Sequence, residues 1–179
     1  MLERVPANAP VAATPATGEA TVAQGAALRE LMKRRSLERL VVGERSVSMV
    51  QAAPAEQIRA HAPTMEEETL VAFARNGKRS GAPVLNGFGL KAPLVLFRDR
   101  DWGRLMSSPC GLEAGWRRFH ELYPAAGGIT YVGSVGLSGD RNQALTYLMT
   151  TAGPGKSTRQ LVYLERREKT WTVSAWIDL

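Results

Sequence analysis

One thiol and one imidazole lie close enough in the sequence to suggest nucleophilic catalysis. Cys110 is the single cysteine, and His120 follows ten residues later. A thiol and a base react as a pair only within hydrogen-bond distance, whereas ten residues of one helix span about 15 Å. A helix that begins at Leu112 weakens this objection, but no other feature supports the pair. We interpret Cys110 as a structural thiol and His120 as an exposed histidine.

Metal-binding patterns are equally weak. His61 and His120 are the only histidines, and HELYP has Pro124 where the helical zinc pattern needs its second histidine. Asp99 and Asp101 have the spacing of a carboxylate pair, but capping of the following helix explains them more simply. We therefore expect neither a metal nor any other cofactor.

Two further patterns favour structure over catalysis. GFGLKAPLVLF contains a Gly-x-Gly at residues 87–89, without the later glycine, lysine and helix of a phosphate-binding loop. Glu66, Glu67 and Glu68 stand at a predicted helix start, where the helix dipole favours acidic side chains. No catalytic residue is assigned.

Four positions are the candidates for surface recognition: Ser134, Asp140, Gln143 and Trp176. Trp176 is predicted on the polar face of the last strand, opposite Trp171. An exposed aromatic side chain beside polar residues can mark a binding surface. The alternative is that Trp176 packs beneath the N-terminal segment.

Charge and composition limit the functional classes. The 179 residues carry a net charge of +6, from 23 basic and 17 acidic side chains, and this length favours one domain. A basic chain attracts polyanions, and Arg141, Arg159, Arg166 and Arg167 lie in or beside predicted strands. No basic run interleaves with aromatic residues, so nucleic acid is the least favoured partner. No apolar run reaches the roughly 18 residues of a membrane span.

The N-terminal segment differs in composition from the rest of the chain. Residues 1–24 are rich in Ala, Pro and Thr, which predicts a disordered tether. Such tethers often follow a cleaved export signal, although the sequence itself lacks the apolar core of a signal peptide. The alternative is a cytosolic protein with a loose tail. Residues 25–179 are predicted to form a single α+β domain.

Apolar spacing predicts several helices and strands before residue 124. The helices cover residues 25–35, 64–76, 99–106 and 112–123, residues 37–50 form a strand pair or one bent strand, and residues 92–97 form a buried strand. Thr64 and Glu67 are a predicted capping box, Gly77 ends that helix, and Pro124 ends the last one.

The last third alternates between apolar and polar residues, which predicts an antiparallel meander of about four strands. SGDR is a predicted hairpin loop, TAGPGKS a flexible connection and EKT a tight turn. The final strand should place Trp171, Val173, Ala175, Ile177 and Leu179 on one face. The fold class is therefore α+β, with N-terminal helices on one face of a C-terminal antiparallel sheet and one or two earlier strands.

The segment GWRRFHELYPAAGGITYVGSVGLSGDRNQALTYL resembles a widespread family of uncharacterised, mostly exported bacterial proteins. Its members read GWxxFYxxYP, then SRVGFN, then TQALVY, and then a lysine-rich hairpin before KW. The matching positions are Gly115, Trp116, Phe119, Tyr123, Pro124, Val135, Gly136, Gln143, Ala144, Leu145, Tyr147 and Trp171. The resemblance implies export and an α+β fold, and it supplies no activity.

This chain departs from the family pattern at two places. Gly133 and Ser134 stand where the family has Ser-Arg, and TAGPGKSTRQ replaces a loop rich in cysteine and glycine. We expect a non-catalytic, periplasmic or secreted protein that binds a protein or a cell-wall ligand, as an inhibitor or immunity-type partner of a cell-wall-directed effector. The alternatives are a small enzyme with a pocket between sheet and helices, and a basic nucleic-acid binder.

Overall fold

The computed structural model describes residues 18–48, 54–77, 88, 90, 93–106 and 111–179. Five helices and six strands lie in these ranges. In chain order they are α1 (Glu19–Arg34), β1 (Leu40–Gly43), α2 (Ala55–His61), α3 (Glu67–Asn76), β2 (Leu94–Phe97), α4 (Asp99–Met106), α5 (Leu112–Leu122), β3 (Ile129–Leu137), β4 (Gln143–Gly153), β5 (Lys156–Arg167) and β6 (Thr170–Asp178). The predicted α+β class is confirmed.

All six strands belong to one mixed sheet with the order β2-β1-β3-β4-β5-β6. Strands β3 to β6 form the predicted antiparallel meander. The earlier strand β1 runs parallel to both of its neighbours, β2 and β3. The connections from β1 to β2 and from β2 to β3 each carry helices, as parallel pairs require.

Helices cover both faces of the sheet, so the prediction of a single covered face is wrong. Helix α1 packs with Ala144 and Leu148 of β4. Helices α2 and α3 pack with Leu145 and Tyr147, which point to the opposite face of the same strand. Interior strands with apolar residues on both faces are buried on both sides. The prediction relied on the alternation of apolar and polar residues in β6, which is an edge strand and does not represent the interior strands.

Helix α1 begins at Glu19, six residues before the predicted start at Gly25. The Glu19 carboxylate accepts a hydrogen bond from Trp171 Nε1 at 3.3 Å and pairs with Arg166 at 3.1 Å. Small buried residues, Ala23 among them, let this helix lie close to the sheet. Residues 19–24, predicted to belong to the tether, are therefore helical, and residues 1–17 lie outside the described ranges.

The predicted capping box of α3 is wrong. The N-cap residue is Glu66, without a side-chain cap, while Thr64 Oγ1 donates to Glu165 at 3.0 Å and Glu67 pairs with Arg59 at 2.7 Å. The helix ends at Asn76 as predicted. The two side chains of the predicted box contact Glu165 of β5 and Arg59 of α2 instead of the helix start.

Three β-bulges interrupt the meander, and one of them changes which way a tryptophan points. Tyr163 pairs with Ala175 and Leu164 with Val173, so Ser174 is an extra residue in β6. A bulge of this kind shifts the alternation of side chains by one residue. Trp176 consequently packs against the same core cluster as Trp171. The prediction that they point to opposite faces is wrong.

The loops of the meander are short. Strand β4 extends to Gly153 and β5 begins at Lys156, so the predicted flexible connection is a two-residue turn in which Gly155 has φ 66°. Glu168 and Lys169 form the predicted tight turn, both with positive φ.

Residues 37–50 contain one short strand, β1, and residues 49–50 lie outside the described ranges.

Candidate functional site

Ser134 lies in a bulge that connects the sheet to helices on both faces. The bulge falls between Val132 and Val135 of β3. Gln24 Nε2 of α1 donates to the Gly133 carbonyl at 2.8 Å, and Ser134 Oγ donates to the Asn76 carbonyl of α3 at 2.7 Å. Residues 133–134 thus form a structural junction between α1, the sheet and α3.

Gln143 caps helix α3 from the neighbouring strand. Its Oε1 accepts the Glu66 backbone N–H at 2.7 Å and the Thr69 hydroxyl at 3.4 Å, while its Nε2 donates to the Thr64 carbonyl at 3.0 Å. Buried or half-buried helix termini need such partners for their unpaired backbone groups. Gln143 therefore fixes α3 on the sheet.

Asp140 organises the β3–β4 turn, and its side chain stays in the loop. Oδ1 accepts hydrogen bonds from Ser138 Oγ at 2.6 Å and from the Asn142 backbone N–H at 2.9 Å. The hydrogen bond from Ser138 makes the largest contribution to lowering the pKa of Asp140, with further contributions from Asn142. An ionised aspartate bonded in this way shapes a hairpin turn.

Trp176 packs beneath the last turn of α1. The guanidinium carbon of Arg34 lies 5.2 Å from the Trp176 ring centroid, within the range of a cation–π interaction. The packing alternative considered from the sequence therefore describes this residue. Of the four predicted recognition positions, Ser134 and Gln143 both contact the α3 segment, whereas Asp140 and Trp176 serve other parts of the fold.

A polar cluster centred on Glu165 lies beside Gln143 and was not predicted. Its carboxylate accepts hydrogen bonds from Thr64, Tyr163 and Ser174, and it forms an ion pair with Arg167 at 3.2 Å. Burial opposes ionisation of Glu165, but these hydrogen bonds together outweigh it and lower the pKa of Glu165. Burial also raises the pKa of Tyr163 to about 12. The Glu165 carboxylate has its acceptor positions occupied by hydrogen bonds, and the Tyr163 phenol beside it is neutral. Such a pair stabilises the fold and is poorly suited to proton transfer.

The histidines serve as hydrogen-bond donors to backbone carbonyls. His61 Nδ1 contacts the Gln57 carbonyl at 2.9 Å, and His120 Nε2 contacts the Ala152 carbonyl at 2.9 Å. Among the described residues, no three or more His, Cys, Asp or Glu side chains are grouped to hold a metal ion. Cys110 lies outside the described ranges.

An exposed tryptophan of α4 packs on a buried tryptophan of α5. The Trp102 ring packs edge-to-face on Trp116, with 6.0 Å between centroids, and on Phe97 at 6.4 Å. Leu112 lies one turn before Trp116 on the same side of α5. Trp102 and Leu112 remain 38% and 43% exposed, whereas Trp116 is buried. We name Trp102, Leu112 and Trp116 the tryptophan ridge.

The tryptophan ridge exposes one side chain, Trp102, of a type that is enriched at protein interfaces. Interface residues whose truncation costs most are enriched in tryptophan and often centre on an apolar patch with a polar rim. The other large apolar side chains that the described ranges expose, Val22, Val71 and Leu179, belong to α1, α3 and the residue after β6. Helices α4 and α5 together thus contribute two of the five exposed large apolar side chains in the described ranges.

The sequence did contain a signal for the ridge. Trp102 stands in DRDWGRLM, where every nearby residue apart from Gly103 and Leu105–Met106 is charged. A short amphipathic helix that presents tryptophan among charges indicates an aromatic side chain near the surface.

None of the described helices has the length and apolar character needed to cross a membrane. Comparison of the chain with protein-family models, with curated proteins and with solved structures found no match in any of the three.

Proposed function

We propose that this protein is a non-catalytic binding protein that holds a partner protein against the tryptophan ridge. The observation that carries the proposal is the exposure of Trp102, which is 38% accessible although it packs on Trp116 and Phe97. Apolar surface left in water is unfavourable by roughly 25 cal/mol per Å². A partner that covers the ridge would recover this free energy.

The arrangement of the polar side chains supports binding over catalysis. Ser134, Gln143 and Glu165 are each hydrogen-bonded to α3 or to the residues just before it. Between the sheet and α3, the space is filled by packed apolar side chains such as Phe73 and Tyr147. This packing does not support the alternative of an enzyme with a pocket between the sheet and its helices.

The arginines of the meander favour a protein partner over nucleic acid. Arg166 pairs with Glu19, and Arg167 pairs with Glu165. Nucleic-acid binding needs basic side chains that are free to replace counterions along a phosphate backbone. Two of the four strand-associated arginines are thus already neutralised within the fold.

For location we propose what the family resemblance implies, and the partner class is a further part of the proposal. The protein would act in the periplasm or outside the cell, as an inhibitor or immunity-type partner of a cell-wall-directed effector. Determination of the N-terminal residue of the protein purified from its native source tests the first part. Recovery of the protein in envelope or culture fractions, compared with cytosol, tests it independently.

Site-specific crosslinking tests the binding role. A photoreactive phenylalanine at position 102 should capture one discrete partner in envelope extract, whereas the same group at Val71, which is 46% exposed on α3, should not. Equal capture at both positions, or capture at neither, would contradict the proposed role of the ridge.

A further inference from the structure

A seam separates two groups of helices on one face of the sheet. Helices α4 and α5 pack with Ile129 of β3, whereas α2 and α3 pack with Tyr147 of β4. Residues two apart in a strand point to the same face, and Tyr131 is paired directly with Met149. Tyr131 borders the first group and Met149 borders the second, and both side chains are half-buried. These two side chains therefore form the floor of the seam.

Strand β5 extends this floor with a cationic side chain. Arg159 is paired with Met149, so Tyr131, Met149 and Arg159 form one row across three strands. Arg159 is exposed, and its guanidinium has neither a hydrogen bond nor an ion pair to another described residue. The acidic residue of β5 is Glu165, which is about 20 Å further along the strand. We name Tyr131, Tyr147, Met149 and Arg159 the strand-face site.

The Tyr147 hydroxyl distinguishes the strand-face site from an ordinary surface. Tyr147 keeps 3% of its surface exposed, and its hydroxyl has no hydrogen-bond partner among the described residues. Buried tyrosine hydroxyls usually have such a partner. In the described part of the chain, no fully enclosed side-chain oxygen lacks a partner, so this hydroxyl is not fully enclosed. It therefore reaches the surface at the edge of a buried ring.

Two glycines make room for the tyrosines of the site. A Cβ at Gly43 of β1 would overlap the Tyr131 ring. A Cβ at Gly133 of β3 would lie 2.8 Å from the Tyr147 Cβ and 2.9 Å from its ring. Each tyrosine therefore lies against the backbone of a neighbouring strand, in a space that a larger residue would fill.

The charge near Tyr147 is positive. Burial raises the pKa of Tyr147 and the charge of Arg159 lowers it, whereas no carboxylate of the described residues affects it. The phenol is therefore protonated at neutral pH and can donate a hydrogen bond. Burial and then the charge of Asp99 raise the pKa of Tyr131, but Asp99 is already paired with Arg45 at 3.0 Å.

We propose that the strand-face site binds a small organic anion. Arg159 and the Tyr147 hydroxyl hold the oxyanion, because a guanidinium and a phenol both donate hydrogen bonds to it. The half-buried side chains of Met149 and Tyr131 contact the apolar part of the ligand. The site lies on the sheet, and the proposal does not depend on the partner protein of the tryptophan ridge.

Methyl NMR on the full-length protein tests the site without knowledge of the natural ligand. The methionine methyl groups are isotope-labelled, and Met149→Leu identifies the Met149 signal. Benzoate and phenyl phosphate are the probes, and they distinguish a carboxylate from a phosphate head group. We expect a saturable shift of the Met149 signal with one of them, at a dissociation constant of about 1–10 mM, since so small a ligand gains limited free energy.

Two matched compounds separate the charge of the ligand from its apolar part. Benzamide lacks the negative charge of benzoate, and acetate lacks the ring. Each should bind at least about fivefold more weakly than benzoate or phenyl phosphate, whichever binds. Equal affinity for benzamide would overturn the anion site, and equal affinity for acetate would overturn the role of Met149 and Tyr131.

Variants then test the two named donors. Tyr147→Phe removes only the hydroxyl and Arg159→Gln removes the charge, so each should weaken binding of the anion about fivefold or more. Arg141→Gln removes the same charge in the β3–β4 turn, beyond the opposite end of β4, and should leave the affinity unchanged. The urea midpoint of Tyr147→Phe should stay the same or rise, because the hydroxyl has no partner within the described fold to lose.

Three results would overturn the proposal. The first is the absence of a Met149 shift with both anions up to about 50 mM. The second is unchanged affinity in both donor variants, which would place the bound anion elsewhere. The third is a lower urea midpoint for Tyr147→Phe with unchanged affinity, which would assign the hydroxyl a structural role. None of them bears on crosslinking at Trp102, so the two proposals fail separately.

Discussion

The guanidinium of Arg34 stacks over Trp176, with 5.2 Å between its central carbon and the ring centroid. At the other end of the same helix, Glu19 accepts a hydrogen bond from Trp171. The first and last turns of α1 therefore each hold one tryptophan of β6. Helix α1 is fixed along the edge strand at two points.

Replacing Arg34 should weaken the second of these points. Arg34→Ala should lower the free energy of unfolding by about 0.5–1 kcal/mol, because a partly exposed cation–π contact is worth about that much. Arg34→Lys should retain part of it. Urea unfolding followed by circular dichroism measures both. Lys33→Ala is the matched control, since the Lys33 side chain is 74% exposed and its ion pair within the described ranges is with Glu30. An equal loss of stability in that variant would contradict a stabilising contact between Arg34 and Trp176.

Deletion of Ser174 should lower the stability of the fold far more than substitution of Ser174. Without the extra residue, strict alternation returns and either Trp171 or Trp176 must leave the α1 face. We expect a loss of about 3 kcal/mol or more, seen as a large fall in thermal midpoint. Ser174→Ala removes only the 3.1 Å hydrogen bond to Glu165 and should cost about 1 kcal/mol. Similar midpoints for the two variants would rule out the role of the bulge.

Glu165 should contribute to the loss of stability in acid. Its pKa lies below the ordinary value of 4.5, because hydrogen bonds to the ionised carboxylate outweigh burial. A depressed pKa means that this stabilisation is present above the ordinary value and disappears as pH falls through the folded pKa. Glu165→Gln should therefore be less stable at neutral pH and show a shallower decline below about pH 4.5. Parallel stability curves for the variant and the parent would disprove this.

Gly136 should not tolerate a side chain. A Cβ at this position would overlap the Phe73 backbone nitrogen and lie 2.5 Å from the Thr69 carbonyl oxygen, so α3 would have to move. Gly136→Ala should cost about 3 kcal/mol. Gly103→Ala is the control, because nothing lies within 4 Å of its Cβ position inside α4. That change should stabilise the protein by up to about 1 kcal/mol.

Local periodicity predicted the elements whose exposed and buried sides are distinct. The stripe of Trp116 and Phe119 located α5, and Pro124 marked its end to within one residue. The hairpins of the meander were found because short turns separate alternating strands. Such signals are contained within about ten consecutive residues, and a sequence displays them directly.

Relationships that depend on distant residues were missed. The Ser174 bulge adds a single residue to a strand, and alternation alone gives no sign of it until Leu164 and Tyr163 are paired across the sheet. Thr64 looked like a helix cap because its competing acceptor, Glu165, lies 101 residues away. The candidate site was missed for a related reason. It depends on the contact between Trp102 and Trp116 of another helix, which the local sequence does not display.

The position of α1 in the chain has a consequence for biosynthesis. This helix leaves the ribosome before the strands on which it packs. Its apolar residues, such as Leu28 and Leu31, pack with Val162, Leu164 and Trp171, which are synthesised more than 120 residues later. The nascent chain therefore exposes an apolar helix until β6 has emerged. Chaperones bind such surfaces, and a translocation channel can accept a chain that has not yet completed its core. Completion of this core therefore waits for the synthesis of β6.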